Sequence, residues 1–568
     1  MLFKKNFLSL LIVFFLPLYF SLINNYQKSV TLTSVLFISL CIVFYKKIFS
    51  DDVFYPGFKV EKYFPIKDSV ILLVLFLIVL FTQNKYLNIE TITWDVPSYL
   101  VASQEINKGF LPFETQWESK GPLFLYLYNL ISNIAGGNFV YFKLINDFIL
   151  FLTSIFLFLS LKLNYKEKES SIFPTLLFIL ITSHVWFISE LSEIYCLVFL
   201  SLSYYIYRKL PPKEVTFLII GFCISLSTLI NQGTVLFAIP YLISICFFYK
   251  KNILKLLVSF ISGALVPHLI FLAIYNSKSL TELYISQYIQ LPLNYVKSSS
   301  PSINEILVIL REFFKYDYFL YFAIISLAVL FISEQFGRRY DKILDIDSLN
   351  FLTAIAFYFI ARHSYQHHLF YAIFFFVIFL GKIESTSKKL FIMSLIFLST
   401  FSILSKTFED SYYNITNTDE IYSNYPLRNL SVDLSKLIKD QDYEVLALDY
   451  VLILYYLQKE NMSYIIHPSN HNEDYIVNEL LRLNKIRTND FNHVSYLIEK
   501  EPKVIICNSK IISGGDVIKL DFYNCAIDDY KKNYTKLDTS KYRYDENLNF
   551  YYDPYKEINV YIKSEYDS

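Results

Sequence analysis

The chain has 568 residues, of which 54% are hydrophobic, and its mean hydropathy is +0.38. Basic and acidic residues are equal in number, so the net charge is zero. These values exclude an ordinary soluble protein and argue against a polyanionic partner such as a nucleic acid. Many apolar runs come close to the roughly 20 residues that cross a hydrocarbon core of about 30 Å, so the sequence predicts a polytopic α-helical membrane protein.

About thirteen apolar runs are predicted to form membrane helices. The first could pass for a signal peptide, but it lacks a small-residue cleavage site and a second apolar run follows at once. We therefore interpret residues 1–67 as two extra membrane helices ahead of the main bundle. The predicted helices span about 7–23, 29–45, 68–83, 138–162, 172–188, 190–207, 215–231, 233–249, 254–275, 317–333, 348–361, 365–381 and 389–405.

The third and fourth predicted helices are joined by a polar segment, residues 84–137, called the first loop below. Asp95 follows an apolar run closely, and Lys120 stands just before the aromatic-rich run that begins at Pro122. That second run, residues 122–135, is too short to cross a bilayer and is predicted to be a helix in the interface plane. The pattern thus predicts one acid and one base on a water-facing loop at the lipid boundary.

The lysines and arginines predict the orientation, because cytoplasmic loops carry an excess of them. They concentrate in the loops on one side, which the N-terminus shares. If residues 122–135 crossed the membrane, every later loop would change sides and this bias would be lost. The segments predicted to lie outside are the first loop, the turn 189–193, the long loop 276–316, the turn 362–368 and the whole C-terminus.

The composition becomes polar after Lys406, and residues 406–568 are predicted to form an extracytoplasmic α/β domain behind a transmembrane domain at 68–405. Strand-like segments alternate with helix-like ones, which favours a partly parallel sheet. Cys507 and Cys525 lie in this part, where a disulfide is chemically allowed. The predicted strands are 443–450, 462–468 and 503–509, the predicted helices are 451–460 and 494–501, and a hairpin turns near Asp553 and Pro554.

Two residues of the first loop have both a structural and a functional interpretation. Asp95, followed by Val96 and Pro97, fits a helix N-cap, and the same carboxylate could act in catalysis. Lys120 could be an interfacial lysine whose charged end reaches water. It also stands at the start of a helix, where free backbone N–H groups and the helix dipole favour an anion, so a phosphate site is predicted there.

Two later turns carry further candidate residues. Glu190 and Glu193 share one outer turn, where one acid suffices to cap a helix, so we assign one of them a functional role. Arg362, His367 and His368 form a cationic, hydrogen-bonding group suited to phosphate. Neither the spacing of the histidines nor their neighbours favours a metal, and no cofactor is predicted. Asp147 is expected to pair with Lys143 one turn earlier.

The unusual polar residues therefore collect at one membrane boundary, with acids to bind or deprotonate an acceptor and bases to hold phosphate. Transfer from a membrane-embedded phosphate donor needs this combination. The segment WDVPSYLVASQEINKGFLPFETQWESKGPL also resembles the first outer loop of GT-C glycosyltransferases of the protein mannosyltransferase and aminoarabinose transferase type. The matching positions are Asp95, Tyr99, Ala102, Gly109, Pro112, Phe113, Lys120, Pro122 and Leu123.

The resemblance extends over about residues 68–275 and, more loosely, to 405. Gly121 stands where the family has the first proline of its lysine motif, and Glu118 lies one position from the place of a family glutamate. The resemblance implies an inverting transfer of a sugar from a polyprenyl-phosphate donor to a lipid, glycan or protein acceptor, on the outer face of the plasma (inner) membrane.

In that mechanism, Asp95 is the expected general base. Lys120, Arg362 and His367 or His368 are expected to stabilise the leaving phosphate. Glu193, or failing that Glu190, is expected to orient the acceptor. Tyr99 and Glu118 belong to the same substrate loop.

Two other functions also fit a polytopic protein with an anionic-ligand site. A transporter or lipid flippase would be expected to contain broken helices or paired repeats, and the sequence has neither. An O-antigen-type ligase or polymerase would be expected to rely on an arginine-rich outer loop, whereas the loop 276–316 has only Arg311.

Overall fold

The computed structural model describes eleven segments of the chain. Within them the protein is mostly helical, with one small sheet near the C-terminus. The described residues are 68–164, 169–184, 187–249, 252–298, 345–360, 366–381, 407–438, 442–487, 493–508, 533–542 and 558–564. The predicted helices at 7–23, 29–45, 317–333 and 389–405, together with Arg362, Cys525 and the turn at Asp553 and Pro554, lie outside them.

The described helices begin with α1, which leads into the first loop, and end in the C-terminal region. In chain order they are α1 (Asp68–Gln83), α2 (Asp95–Gln104), α3 (Pro122–Ile134), α4 (Phe139–Asn164), α5 (Glu169–Ile181), α6 (Ser192–Lys209), α7 (Glu214–Thr228), α8 (Ala238–Phe248), α9 (Ile253–Ser277), α10 (Thr281–Ile285), α11 (Leu291–Ser298), α12 (Ile346–Ile360), α13 (Leu369–Gly381), α14 (Thr418–Asn424), α15 (Pro426–Leu437), α16 (Leu452–Leu457), α17 (Asp474–Arg482) and α18 (His493–Glu499).

Three of the described helices are long and apolar enough to cross a membrane by length and composition. They are Asp68–Tyr86, Phe139–Leu163 and Ile253–Ser277. Shorter apolar helices occupy Glu214–Thr228, Gln232–Phe248, Ile346–Phe359 and Leu369–Ile378. The helical nature of these predicted segments is thus confirmed, whereas the number of thirteen spans stays a prediction.

The predicted gap of a single residue between helices 172–188 and 190–207 is wrong. Helix α5 ends at Ile181 and α6 begins at Ser192, with a ten-residue turn between them. Phe187 and Leu191 in this turn are buried in the protein. Their apolar character therefore reflects packing against neighbouring side chains, which a hydropathy pattern cannot distinguish from contact with lipid.

Helices α7 and α9 approach each other through two glycines. A Cβ added to Gly221 would lie 2.1 Å from the Phe260 carbonyl oxygen, and one added to Gly263 would lie 2.0 Å from the Leu218 carbonyl oxygen. Small residues permit such close backbone approach between membrane helices. Leu254 and Leu269 on α9 are 75% and 56% exposed, as expected of side chains that face lipid.

The sheet contains four strands in the order β1-β2-β4-β3. They are β1 (Val445–Ala447), β2 (Val504–Asn508), β3 (Tyr534–Lys536) and β4 (Ile558–Lys563). β1 pairs in parallel with β2, whereas β4 is antiparallel to both β2 and β3. The predicted mixed sheet is therefore confirmed among the described residues. Cys507 is disulfide-bonded.

The predicted strand at residues 462–468 is not part of this sheet. Ile465 instead forms an isolated parallel bridge with Trp117 of the first loop, and Asn461 forms one with Val445. Ile465 and Ile466 are both fully buried, so two successive residues face protein rather than alternating between protein and water. Through these two bridges, the segment joins the first loop to the rest of the C-terminal region.

A buried acid of the first loop holds the start of helix α15. The Glu90 carboxylate accepts hydrogen bonds from the backbone N–H groups of Leu427 (2.8 Å) and Arg428 (3.1 Å). These N–H groups lack partners inside the helix, and a carboxylate at this end is also favoured by the helix dipole. Glu90 therefore fixes the C-terminal region to the first loop.

The stability of this contact should depend on pH. Burial raises the pKa of Glu90 to about 7 from 4.5, despite the bonds from Leu427 and Arg428 and the charge of Lys143. Between these two values the folded protein holds a proton that the unfolded chain has lost, so the free energy of unfolding falls as pH rises through this window. The loss is about 3 kcal/mol in total.

Glu90→Gln resembles the protonated form and should remove this dependence. We expect the variant to unfold at about the wild-type temperature at pH 5 and at a higher temperature than wild type at pH 8. Thermal unfolding of the purified proteins in detergent measures both. Glu420→Gln, an exchange at an exposed glutamate of the neighbouring helix α14, is the control. Equal pH dependence in all three proteins would contradict the assignment.

Candidate active site

The backbone just before Lys120 is held by the C-terminal region. The Trp117 N–H donates to the Tyr464 carbonyl oxygen (2.7 Å), and the Ile466 N–H donates to the Trp117 carbonyl oxygen (3.4 Å). The Gln116 side-chain amide exchanges two hydrogen bonds with the backbone of Asn461, each 3.0 Å long. Residues 116–118 therefore add to the segment 461–466 as a short extended pair.

A second support comes from the segment between α10 and α11. Gln287 lies in a π-helical turn, Ser286–Gln290. Its side-chain oxygen accepts from the Trp117 indole N–H (2.7 Å), and its amide donates to the carbonyl oxygens of Glu118 (3.2 Å) and Ser119 (3.1 Å). Such turns often occur at functional sites. The loop backbone is thus fixed on both sides directly ahead of Lys120.

Asp95 contacts a histidine that is remote in sequence. Its Oδ1 atom lies 3.0 Å from His467 Nε2, and 27% of the Asp95 side chain is exposed. Asp95 is the first residue of helix α2, and Trp94 occupies the N-cap position. The predicted N-cap role of Asp95 is therefore wrong by one residue, because the backbone turns into the helix before it. The carboxylate is paired with His467 instead.

This pairing changes the proton affinity of both groups. Burial raises the pKa of Asp95, but the hydrogen bond and charge of His467 and the charges of His367 and Lys120 outweigh it, so the pKa lies well below its usual value. Burial lowers the pKa of His467, whereas the hydrogen bond and charge of Asp95 and the charge of Glu118 raise it above its usual value. Asp95 is therefore ionised at neutral pH.

Lys120 is close to a buried glutamate and an aromatic ring. Its Nζ atom lies 3.8 Å from Glu193 Oε1 and 6.0 Å from the centre of the Tyr99 ring. Burial lowers the pKa of Lys120, but the charges of Glu193, Asp95 and Glu118 raise it above its usual value. Lys120 is therefore a cation at neutral pH, and its side chain is 15% exposed.

The sequence predicted that free N–H groups at the start of α3 would favour an anion. In the structure, not all of these N–H groups remain available. Gly121 N–H donates to the Ile230 carbonyl oxygen (2.8 Å), and Leu123 N–H donates to the Leu229 carbonyl oxygen (3.2 Å). The end of helix α7 therefore satisfies them. An anion at this site would be held by the Lys120 side chain.

The same contacts explain the glycine at position 121. A Cβ there would lie 2.0 Å from the Leu229 carbonyl oxygen and 2.5 Å from the Tyr288 hydroxyl. A proline would also lose the hydrogen bond to Ile230. The departure from the family motif is therefore required by the close approach of α3 to the end of α7.

Gly121→Ala should consequently destabilise the protein, because backbone atoms must move to admit the methyl group. Such overpacking costs about 1–3 kcal/mol. Thermal unfolding should show a lower midpoint than for Gly136→Ala, where the added Cβ meets nothing within 4 Å and only the positive φ of 62° opposes it. If Gly121→Ala is the more stable of the two, the close contact is relaxed in solution.

Glu118 is buried beside Lys120. Its Oε1 atom accepts from the Ser119 N–H (2.6 Å) and hydroxyl (2.8 Å), while Oε2 has no hydrogen-bond partner. Burial raises the pKa of Glu118, although the charge of His467 and the bonds from Ser119 oppose this. Glu118 therefore binds a proton more readily than Asp95, so the two acids of the loop differ in chemistry.

The two candidate glutamates of the turn face different surroundings. Glu193 lies in the first turn of α6, where the Asn231 amide donates to its Oε1 atom (3.3 Å) and His368 Nε2 lies 3.7 Å from the same oxygen. Glu190 instead feels the charge of Lys143 on α4. The structure thus brings Glu193, and not Glu190, next to Lys120.

The predicted pair of Asp147 with Lys143 is not formed. Asp147 accepts from the Asn84 amide (2.5 Å) and the Ser189 hydroxyl (3.0 Å), and Lys143 donates to the Ile89 carbonyl oxygen. Both side chains face the interior of the bundle, where partners on other segments are closer than the next turn of their own helix. This polar cluster joins α1, α4 and the turn before α6.

Of the predicted cationic turn, the structure describes His367 and His368 but not Arg362. Both histidines lie in the 3₁₀ turn Gln366–His368 ahead of α13. Their rings lie 4.6 Å apart, centre to centre. One nitrogen from each and a carboxylate oxygen of Glu193 all lie within 4.8 Å of one another. This set has the residue types of a divalent metal site, which histidine spacing in the sequence did not indicate.

Sequence analysis missed His467 and Gln287. Neither lies in a motif, and each is far along the chain from the loop residue that it contacts. The only local sign at His467 is a histidine and proline that follow two successive isoleucines. Such a pattern is common at the end of an ordinary strand.

No family model and no curated protein matches the sequence of the chain. Its structure is similar to that of ArnT from Cupriavidus metallidurans bound to undecaprenyl phosphate, with 9% sequence identity and a TM-score of 0.52 over 78% of this chain and 93% of that one. The apo state of ArnT gives 10% identity and the same TM-score over 77% and 92%. The fold implied by the loop motif is therefore confirmed.

A more distant similarity is to the archaeal oligosaccharyltransferase AglB from Archaeoglobus fulgidus in complex with an inhibitory peptide and a dolichol-phosphate. That match has 13% identity and a TM-score of 0.40, over 78% of this chain and 69% of AglB. A TM-score of this size does not establish a common fold.

Proposed function

We propose that the protein is an integral-membrane, inverting glycosyltransferase that moves a sugar from a polyprenyl-phosphate donor to an acceptor outside the cytoplasm. The observation that carries this proposal is the juxtaposition of an ionised acid, Asp95, and a largely buried cation, Lys120, whose charges interact. They lie in a fold shared with ArnT, which was crystallised with undecaprenyl phosphate. One acid and one cation are the minimum that transfer from a phosphate donor requires.

In the proposed reaction, the acceptor hydroxyl oxygen attacks the anomeric carbon of the donor sugar. The new C–O bond forms as the bond from that carbon to the phosphate oxygen breaks, and the phosphate leaves with the electron pair. Asp95 takes the acceptor proton. Its low proton affinity makes it a weak base, so we propose that it acts mainly by orienting the hydroxyl and accepting the proton late in the step.

Lys120 holds the donor phosphate and stabilises the charge that develops on it. His368 Nε2 lies 3.7 Å from the same Glu193 oxygen as this lysine, and it is proposed to bind the donor phosphate together with His367. Arg362 is proposed to join them, and Tyr99 and Glu118 to shape the pocket. Glu193 lies 3.8 Å from Lys120, and it is proposed to orient the acceptor. His467 keeps Asp95 ionised and correctly oriented.

We further propose the arrangement expected from the basic residues. About thirteen helices cross the plasma (inner) membrane, the N-terminus is cytoplasmic, and residues 406–568 form an extracytoplasmic domain behind the membrane domain at 68–405. The first loop and its in-plane helix α3 then face the donor in the outer leaflet. The acceptor is a lipid, a glycan or a protein of the cell envelope.

The test is sugar transfer by the purified full-length protein in lipid nanodiscs. The donors are a panel of polyprenyl phosphates that carry different radiolabelled sugars, and an envelope extract supplies acceptors. We expect label to move to a new product, with release of unlabelled polyprenyl phosphate. If the protein instead carries an intact donor across vesicle membranes without cleaving it, the chain is a transporter and the proposal is wrong.

A further inference from the structure

We propose that Glu193, His367 and His368 together bind a divalent transition-metal ion such as Zn²⁺ or Mn²⁺. The three residues come from two separate segments, the first turn of α6 and the 3₁₀ turn before α13. Helix packing, and not a local motif, brings them together.

The distances suit a shared ion. The possible ligand atoms of the three residues lie within 4.8 Å of one another, and His368 Nε2 is 3.7 Å from Glu193 Oε1. Two ligands on one tetrahedral Zn²⁺, with bonds of about 2.0–2.1 Å, lie about 3.4 Å apart. The widest pair would therefore have to close by at most about 1.4 Å, which small rotations about the χ angles of two side chains can share.

One buried oxygen in the set lacks a partner. The Glu193 side chain is 1% exposed, and its Oε2 atom receives no hydrogen bond. At 3.8 Å, Lys120 Nζ is too far from Oε1 to donate a normal hydrogen bond. Leaving a buried charged acceptor unsatisfied is unfavourable. A bound cation would remove this cost.

The ligand types select among cations. Two imidazole nitrogens and one carboxylate oxygen suit Zn²⁺, Mn²⁺ and similar ions better than Mg²⁺ or Ca²⁺, which prefer oxygen ligands throughout. Three protein ligands also leave one coordination position open, as in catalytic zinc sites.

Neighbouring groups hold the ligands in place. The Asn231 amide donates to Glu193 (3.3 Å), and the His368 ring packs edge to face on Phe357, 5.7 Å between ring centres. Contacts of this kind orient ligands and are a regular part of metal sites.

The local charges leave room for a cation. Three carboxylates, those of Glu193, Asp95 and Glu118, interact electrostatically with Lys120. They outnumber the single lysine, and the two histidines nearest to them, His467 at Asp95 and His368 at Glu193, are cations only when protonated. If the proposed glycosyl transfer is correct, the open position faces the donor phosphate, which Lys120 and the ion would then hold together. This last statement rests on the proposed function, whereas binding of the ion does not.

The experiment measures metal content directly. The full-length protein is purified in nanodiscs, stripped with a chelator, incubated with Zn²⁺ or Mn²⁺, desalted and analysed by mass spectrometry for bound metal. We expect about one ion per chain for wild type. Glu193→Gln and His367→Ala should each weaken binding by at least about tenfold.

Glu190→Gln and His268→Ala are the matched controls, since each changes the same residue type outside the set. Both should retain wild-type metal content. Thermal unfolding supplies a second measurement: the ion should raise the unfolding temperature of wild type and of the controls, and not that of Glu193→Gln. The unfolding measurement also shows whether each variant is folded.

The proposal is overturned if stripped wild type takes up no ion, or if Glu193→Gln and His367→Ala hold as much as the controls. Sugar transfer by protein that binds no metal would leave the glycosyltransferase standing and remove the metal site. Metal binding without sugar transfer from any donor would leave the metal site standing and remove the glycosyltransferase proposal.

Discussion

Asp95→Asn is expected to lower the rate of sugar transfer by about 10²–10⁴-fold, the usual contribution of a positioned acid or base. The amide keeps the shape of the carboxylate but cannot take a proton. It also loses the charge that favours protonated His467. The loss should appear in kcat, because the proton moves only as the new bond forms, and donor KM should change little.

The control for this variant is Asp474→Asn, the same exchange at an exposed carboxylate of the C-terminal region. It should transfer sugar at the wild-type rate. Both variants should unfold within a few degrees of wild type. If Asp95→Asn retains full activity with a normal fold, Asp95 is structural and the acceptor proton leaves by another route.

Lys120→Ala is expected to lower kcat by about 10²–10³-fold, as removal of a single charge-stabilising donor does at other active sites. The ammonium group stabilises the leaving phosphate most when its charge is fully developed. Lys120→Arg keeps the charge in a bulkier form and should recover part of the rate. Transfer from a labelled donor, followed at several donor concentrations, separates kcat from KM.

Lys278→Ala is the matched control. That exposed lysine donates to the Gly109 carbonyl oxygen (2.7 Å), eleven residues before Lys120 in the same loop. Its loss should leave transfer unchanged. Equal rates for Lys120→Ala and Lys278→Ala would exclude Lys120 from phosphate binding, and the cationic group would then lie elsewhere in the protein.

Much of the fold was predictable because a membrane helix and a half-buried strand each leave a periodic or continuous apolar pattern. Helices α1, α4 and α9 begin within a residue or two of their predicted starts, and β1 and β2 lie inside their predicted strands. The turn between α5 and α6 was not predictable, since buried residues such as Phe187 and Leu191 have the composition of a span. The sheet strand predicted at 462–468 was wrong for a similar reason. Both of its central isoleucines are buried, although they lie outside the sheet.

The candidate site was predictable only where its residues lie close together in sequence. Asp95 and Lys120 share one loop, and their spacing carries the family motif. The Glu193 and His368 contact depends on how α6 packs beside α13, and the His467 contact depends on where the last part of the chain docks. No sequence period encodes either arrangement. The prediction of free N–H groups at the start of α3 was wrong because carbonyl oxygens at the end of α7 already accept their hydrogen bonds.

The pairing of Asp95 with His467 also orders events in time. The two residues are 372 positions apart, so a ribosome that adds roughly 5–20 residues per second needs about 20–70 s to make the second after the first. Throughout that interval the nascent chain already contains Asp95 and Lys120 but lacks the histidine and the segment that hold the loop. On the proposed mechanism, the growing polypeptide is therefore inactive until His467 has been synthesised and its segment has folded against the first loop. Premature termination anywhere before His467 would then yield a protein without the proposed catalytic centre.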